Sequence, residues 1–214
     1  MLGTCDYVSR RVSAILAATG YLLLSGCGSA ESVPPLPLPP PSQAAQQLVQ
    51  SFDRNGDGQI ATPELTASAA LVASVVRFDQ NQDGVLTRDE VAARFDAYHN
   101  GNVQMMALSC MFTLDGRPLT GAKINFVPEP CMGPGAKAAE GVTDANGLVV
   151  LETPGERYPA VFCGLYRVVV SKRNEQGEET IPARYNVQTE LGQEIAGDVE
   201  ELAGTLAFRI SSRR

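Results

Sequence analysis

The chain has 214 residues and carries 17 Lys and Arg against 24 Asp and Glu, which gives a formal net charge of −7. This length is enough for two small domains. The acidic balance argues against nucleic-acid binding through a basic surface, so we expect no nucleic-acid partner.

An export signal is predicted at the start of the chain. Arg10 and Arg11 precede the apolar run Val12–Leu24. This run is too short to span a bilayer comfortably and has the length of a signal-peptide core.

The residues Leu24-Ser25-Gly26-Cys27 at the end of this run resemble a bacterial lipobox. The resemblance implies that residues 1–26 are a lipoprotein signal peptide, that the Cys27 thiol carries diacylglycerol, and that the new amino terminus is acylated. Because more than one acyl chain makes a stable anchor, we expect an exported protein on the periplasmic or cell-surface face of a bacterial membrane. The alternative is ordinary signal-peptidase cleavage after Gly28-Ser29-Ala30, with loss of Cys27.

Residues 27–45 are predicted to be a spacer between the lipidated cysteine and the folded part of the chain. The run Pro34–Pro41 is expected to form a stiff polyproline II segment that lifts the rest off the membrane. Pro34 and Pro37 also have the spacing of a PxxP ligand, but outside the cytoplasm a spacer is the role we expect.

Residues 46–100 contain two copies of one acidic pattern, at 53–64 and 79–90. Both fit the EF-hand calcium loop, in which oxygen ligands stand at positions 1, 3, 5, 7, 9 and 12 and a glycine at position 6 makes a sharp turn. The predicted ligands of two Ca²⁺ ions are Asp53, Asn55, Asp57, Gln59 and Glu64 in the first loop, and Asp79, Asn81, Asp83, Val85 and Glu90 in the second.

Calcium chemistry explains these residue types. The ion takes six to eight oxygens, so carboxylates and amides converge on it, while Gln59 and Val85 contribute only backbone carbonyls. Thr87 can hold a water at position 9, where the first loop has Ala61, so we expect the second loop to bind more tightly. The competing interpretation, acidic turns before helix caps, explains a capping box at Thr87 and Glu90 but not the repeated spacing.

The two loops lie close together in the sequence, and the segment Thr62–Phe78 must both leave the first loop and enter the second. An unbroken helix there would hold the loops apart. We therefore predict a bend near Ser68–Ala70, which allows Ile60 and Leu86 to pair in a short antiparallel bridge. The close spacing also resembles dockerin modules, which bind cohesin domains.

The helical part is expected to close its own small core. Its predicted members are Phe52, Leu65, Leu71, Val75, Val76, Phe78, Val91, Phe95 and Tyr98.

Residues 105–214 change to a period typical of short strands separated by turns. The predicted strands are Leu108–Leu114, Lys123–Val127, Leu148–Leu151, Tyr166–Val170 and Leu206–Ile210. Such spacing is typical of a β-sandwich. The predicted fold class is therefore α+β as a multidomain chain, with a small all-α EF-hand pair and an all-β sandwich of about seven strands.

Four segments of this part, 113–128, 143–147, 164–170 and 181–185, look like the carboxypeptidase regulatory-like, transthyretin-like β-sandwich. The closest likeness is to the small lipoproteins of planctomycete-type bacteria that carry this module. The resemblance implies an interaction domain without enzymatic residues. An unknown protein or carbohydrate is then the expected partner, beside the membrane that holds the lipid anchor.

Three cysteines remain for the exported chain besides Cys27, and an oxidising compartment allows one internal pair. In an up-and-down strand order Cys131 and Cys163 come to the same end of the sandwich, which favours a disulfide between them. A Cys110–Cys163 pair and three buried thiols are the alternatives.

Signals for catalysis are sparse. His99 is the single histidine, so an HExxH zinc site is excluded, and neither a Gly-x-Ser-x-Gly elbow nor a phosphate loop occurs. We expect a non-enzymatic, calcium-binding lipoprotein with no catalytic residues. A dockerin-like interaction module and an accessory subunit of a secreted hydrolase are the alternatives.

Overall fold

The computed structural model describes residues 38–213, which belong to one compact unit. Its α-helices are α1 (Pro41–Phe52), α2 (Thr62–Leu65), α3 (Ala69–Phe78) and α4 (Arg88–Asn100). Its strands are β1 (Ile60–Ala61), β2 (Val85–Leu86), β3 (Met105–Met106), β4 (Ser109–Leu114), β5 (Arg117–Pro118), β6 (Lys123–Pro128), β7 (Ala139–Val142), β8 (Leu148–Val150), β9 (Val161–Phe162), β10 (Gly164–Ser171), β11 (Gly192–Ile195) and β12 (Leu206–Ile210).

Helix α1 begins inside the segment predicted to be a spacer. Pro41 occupies its first turn, where the missing N–H of proline removes no helical hydrogen bond. Ala45 and Leu48 lie on its buried face, which packs against α4. The end of the proline run is also held by the fold, because Nε2 of His99 lies 2.9 Å from the carbonyl oxygen of Pro39.

The predicted bend between the two loops is confirmed. Helix α2 ends at Leu65, and α3 begins after Ser68, whose hydroxyl caps the helix by accepting a hydrogen bond from the N–H of Leu71 at 3.2 Å. The bend brings β1 and β2 together as an antiparallel pair. The predicted pairing of Ile60 with Leu86 is confirmed as well.

The longer strands form two small sheets. One has the order β11-β10-β6-β7, and all its neighbours are antiparallel. In the other, β4 pairs in parallel with β12 and antiparallel with β5 and β8. A third, two-stranded ladder joins β3 to β9. All five strands predicted from the sequence are present, with ends that shift by at most two residues.

The predicted fold class is wrong. The described chain is a mixed α/β unit whose strands form several small sheets, and these do not make a clear sandwich beside a separate helical pair. The physical reason is that α3 packs along β11 and β10, so helices cover apolar surface that a second sheet covers in a sandwich.

The contact between α3 and β11 is close. A Cβ atom at Gly192 would overlap the backbone of Ala69 and Ala70, so only glycine allows this approach. Helical and strand residues share one continuous hydrophobic core. The prediction of a self-contained helical core is therefore wrong, and Val76, one of its predicted members, is 79% exposed.

The signal peptide, Cys27 and the first half of the run Pro34–Pro41 lie outside the described residues. Within residues 38–213, the helices are too short or too polar for any of them to cross a membrane.

Candidate metal centre

The two acidic loops, residues 53–64 and 79–90, lie side by side. Each runs from the end of one helix to the start of the next, so α1 and α2 flank the first loop and α3 and α4 flank the second. Ile60 and Leu86 pair across them and are fully buried. The hydroxyl of Thr62 adds a second link, because it donates a hydrogen bond to the carbonyl of Gly84 at 2.9 Å.

The loops share one backbone conformation at two positions. Position 6 is Gly58 in the first loop and Gly84 in the second, with φ of 82° and 81°. Position 4 is Gly56 in the first and Gln82 in the second, with φ of 79° and 60°. Non-glycine residues rarely adopt such values, so the fold imposes this conformation on Gln82. The calcium-loop pattern places no constraint on position 4, so it did not predict the left-handed backbone conformation there.

In the first loop the predicted ligand side chains organise the loop backbone. Asp53 accepts hydrogen bonds from the N–H groups of Gly56 at 2.6 Å and Gly58 at 2.9 Å. Asn55 Oδ1 accepts from the N–H of Asp57, whose Oδ1 accepts from the N–H of Gln59 at 2.9 Å. These bonds hold the side chains at positions 1, 3 and 5 against the backbone of their own loop.

The second loop repeats this arrangement. Oδ2 of Asp79 accepts from the N–H of Gly84 at 2.9 Å, which matches the bond from Gly58 to Asp53. The N–H of Asp83 donates to Asn81 Oδ1, and Oδ1 of Asp83 accepts from the N–H of Val85, both at 2.9 Å. The side chains at positions 1, 3 and 5 are thus held in the same way in both loops.

The two loops differ at position 12. Glu64 uses both carboxylate oxygens: Oε1 accepts from the N–H groups of Arg54 and Asn55, and Oε2 from the N–H of Ala61 at 2.9 Å. Glu90 uses Oε2 alone, which accepts from the N–H and hydroxyl of Thr87.

The other oxygen of Glu90, Oε1, is buried and has no hydrogen-bond partner. A buried carboxylate oxygen without a donor is energetically costly. The predicted capping box of Thr87 and Glu90 is confirmed, and it leaves this one oxygen of Glu90 free to accept a bond.

Within residues 38–213, no group of three or more His, Cys, Asp or Glu side chains lies close enough together to form a metal site without rearrangement. The loop carboxylates nevertheless retain acceptor capacity, because each carboxylate offers about four lone-pair sites. No Lys, Arg or His among these residues forms an ion pair with a carboxylate at position 1, 5 or 12 of either loop. Their negative charge is therefore not neutralised by the described part of the chain.

The predicted disulfide does not form in the structure, where Cys110, Cys131 and Cys163 are all free and buried. The thiol of Cys163 donates to the carbonyl of Val103 at 3.2 Å instead of meeting Cys131. Burial raises the pKa of Cys110 and of Cys131 to about 12, and that of Cys163 to about 11. These thiols are core groups with little thiolate character.

A cavity of about 390 Å³ lies beside the end of α4. Arg94 and Tyr98 of α4, Cys163 and Asp198 line it. The guanidinium of Arg94 is engaged there by both oxygens of Asp198, at 2.6 and 2.8 Å. The charged groups of this cavity therefore neutralise one another.

Comparisons with protein-family models, with curated proteins and with solved structures gave no match.

Proposed function

We propose that the chain binds two calcium ions, one in each acidic loop, and that calcium acts as a structural clip in an exported, lipid-anchored protein. The first ion would be held by Asp53, Asn55, Asp57, Glu64 and the carbonyl of Gln59. The second would be held by Asp79, Asn81, Asp83, Glu90 and the carbonyl of Val85. Both are all-oxygen donor sets, as a hard cation requires.

The observation that carries this proposal is the buried Oε1 of Glu90 at position 12. Calcium loops close at this position with a bidentate carboxylate. A cation bound to Oε1 would remove the cost of an unpartnered buried oxygen and would neutralise the carboxylates at positions 1 and 5. The free oxygen also favours the second loop as the tighter site, since both oxygens of Glu64 already accept hydrogen bonds in the first.

The role of a structural clip follows from the surroundings of the loops. Their helices pack into a core shared with the sheets, which opposes a large opening of the helix pair on binding. Calcium outside the cytoplasm is high enough to fill sites with dissociation constants of about 10⁻⁴ to 10⁻³ M, the range of extracellular calcium modules. Calcium would then be bound constitutively and would raise stability by mass action.

The anchor belongs to the same proposal. A lipidated Cys27, followed by the proline-rich spacer, would hold the calcium-binding unit at the periplasmic or cell-surface face of a bacterial membrane, where it serves as a non-catalytic interaction module. Metabolic labelling with a palmitate analogue tests this part. Label should appear on the wild-type protein and disappear in Cys27→Ala, whereas ordinary signal-peptidase cleavage would leave the wild type unlabelled.

Calcium binding itself is tested by calorimetric titration of the purified, calcium-free protein, with thermal melts at each calcium concentration. Two binding events and a rising melting temperature are expected. Asp83→Ala should remove the tighter event and Asp57→Ala the weaker one. Asp144→Ala is the matched control, because Asp144 closes a turn outside the loops, where Oδ1 accepts N–H bonds from Asn146 and Leu148. Absence of heat and of any shift in melting up to millimolar calcium would refute the proposal.

A second candidate is a protein-interaction role for the helices around the loops. Val72 and Val76 are one turn apart on α3 and are 51% and 79% exposed. Two exposed valines on one helix face favour an apolar protein partner. A photo-crosslinking amino acid at position 76 tests this role: one specific adduct, lost when Val72 is replaced by Glu, supports it, and unchanged crosslinking in the Val72→Glu variant would reject it.

A further inference from the structure

One buried carboxylate joins both helices of the second loop to the sheet. Glu194 lies in β11 and is fully buried. Its Oε2 accepts a hydrogen bond at 2.5 Å from Nε of Arg77, in the last turn of α3. Its Oε1 accepts at 2.6 Å from Nε of Arg94 and at 2.5 Å from the hydroxyl of Tyr98, both on α4.

These contacts lie close to the second loop in the sequence. Arg77 precedes Asp79, position 1 of the loop, by two residues, and Arg94 follows Glu90, position 12, by one helical turn. The helix that enters the loop and the helix that leaves it are therefore fixed to the same carboxylate, α3 through Oε2 and α4 through Oε1. Neither α1 nor α2, which flank the first loop, contributes a donor to Glu194.

Two positive charges surround Glu194. Arg77 and Arg94 both pair with Glu194, Arg94 also pairs with Asp198, and Arg77 lies 3.9 Å from the exposed Glu201. The guanidinium of Arg94 lies 5.3 Å from the centre of the Tyr98 ring. Burial, and then the charge of Glu194, raise the pKa of Tyr98 well above its usual value. The Tyr98 hydroxyl thus remains protonated and donates. A buried, fully paired carboxylate of this kind fixes geometry because each of its contacts is directional.

We propose that Glu194 is a positioning residue for the second calcium loop. By fixing α3 relative to α4, it holds Asp79 and Glu90, at opposite ends of the loop, in the arrangement that leaves Oε1 of Glu90 buried and unpartnered. Calcium then binds a loop that is already ordered, so the free-energy cost of ordering the loop does not weaken calcium binding. This inference rests on the proposed calcium binding.

A merely structural role for Glu194 would lower stability without distinguishing between the loops. The decisive readout is therefore the calcium dissociation constant of each loop alone. Asp57→Ala leaves the second loop as the only complete one, and Asp83→Ala leaves the first. Glu194→Gln keeps the side-chain volume and places an amide between the two guanidinium groups. Glu201→Gln is the matched control, because Glu201 lies 3.9 Å from Arg77 but is 64% exposed.

Calorimetric calcium titrations of these variants give the expected pattern. In the Asp57→Ala background, Glu194→Gln should weaken calcium binding by at least about fivefold, the lower end of typical coupling between sites. In the Asp83→Ala background it should leave the affinity unchanged, and Glu201→Gln should change neither loop. If Glu194→Gln does not fold, Arg77→Gln replaces it, since this change removes only one of the three contacts, and the same pattern is expected.

Three results would overturn the inference: equal weakening of both loops, no change in the second loop, or tighter binding there. Each of them still leaves calcium binding by the wild type in place. Absence of calcium binding in the wild type instead refutes the proposed function and, with it, this inference. The two failures are therefore distinguishable.

Discussion

Ile60 and Leu86 are direct antiparallel partners, one from each acidic loop, and both are fully buried. Replacing Leu86 by Ala should lower the free energy of unfolding by about 2–5 kcal/mol, the usual cost of truncating a buried leucine. Because this pair joins the loops, the variant should also lose any cooperativity between the two proposed calcium sites. Urea unfolding and calcium calorimetry measure the two effects.

The control for this prediction is Val76→Ala. Val76 is 79% exposed, so its truncation should change stability by less than about 0.5 kcal/mol. Equal losses in both variants would mean that Leu86 is not part of a closely packed junction.

Gln82 has a left-handed backbone conformation that its counterpart Gly56 adopts without strain. Gln82→Gly should therefore raise the free energy of unfolding by about 1 kcal/mol, and Gly56→Gln should lower it by a similar amount. A Cβ atom at Gly56 meets no atom within 4 Å, so the backbone alone accounts for the expected loss. Thermal and urea unfolding test the pair, and a destabilised Gln82→Gly protein would contradict the prediction.

Gly192 is the point of closest approach between the sheet and α3. Gly192→Ala should cost about 1–3 kcal/mol or more, because the added methyl group overlaps backbone that cannot rotate away. Gly204→Ala is the matched control, since a Cβ atom at Gly204 has open space and a backbone φ of −120°. Similar stabilities of the two variants, measured by urea unfolding, would argue against the close packing of helix on sheet.

Glu129 is buried and accepts a hydrogen bond from the hydroxyl of Ser68 at 2.8 Å, while Arg167 lies 3.6 Å away. Burial raises the pKa of Glu129, and its contacts with Ser68 and Arg167 offset this only in part. The folded protein therefore binds this proton more tightly than the unfolded chain, so ionisation of Glu129 lowers stability at neutral pH.

Glu129→Gln should accordingly be more stable than the wild type at neutral pH. Its advantage should shrink as the pH falls through the raised pKa and vanish below 4.5, the usual carboxyl value. Urea unfolding at a series of pH values, at one fixed calcium concentration, measures this difference. Glu175→Gln serves as control for the substitution itself, because Glu175 is exposed and takes no part in the contacts of Glu129. If the stability advantage of Glu129→Gln over the wild type increased as the pH falls, the prediction would be contradicted.

The three buried cysteines should have low reactivity in the folded protein. Cys110, Cys131 and Cys163 should react slowly with a thiol reagent in the native protein at neutral pH, because burial blocks access and raises each pKa. All three should react rapidly in urea without a reductant. If two of these cysteines resist labelling in urea until a reductant is added, the result would support a disulfide between them.

Local patterns predicted much of this molecule. The loops, the bend at Ser68 and the pairing of Ile60 with Leu86 follow from spacing and capping residues, which act over a few positions. The strands with alternating or continuous apolar residues, such as Leu206–Ile210, were predicted for the same reason. In each case short-range stereochemistry is decisive.

Long-range packing decided the rest. Strand β11 contains Glu194 at a fully buried position, so its sequence lacks an apolar alternation, and the arginines that make this burial tolerable lie far away in the chain. In α3 the buried face includes Ser74, whose hydroxyl donates to the carbonyl of Ala70, while Val76 faces out. The apolar pattern alone would place the valine inside. The packing of α3 on the sheet, and hence the fold class, depends on burying Glu194 and Ser74 and exposing Val76.

The parallel pairing of β12 with β4 has a consequence for folding kinetics. Leu206–Ile210 must find Ser109–Leu114 across most of the strand-forming part of the chain, so this ladder closes a long loop. Until it closes, that edge of β4 offers unpaired N–H and C=O groups to any other chain. The protein should therefore be most prone to aggregate early in refolding, before its last strand is in place.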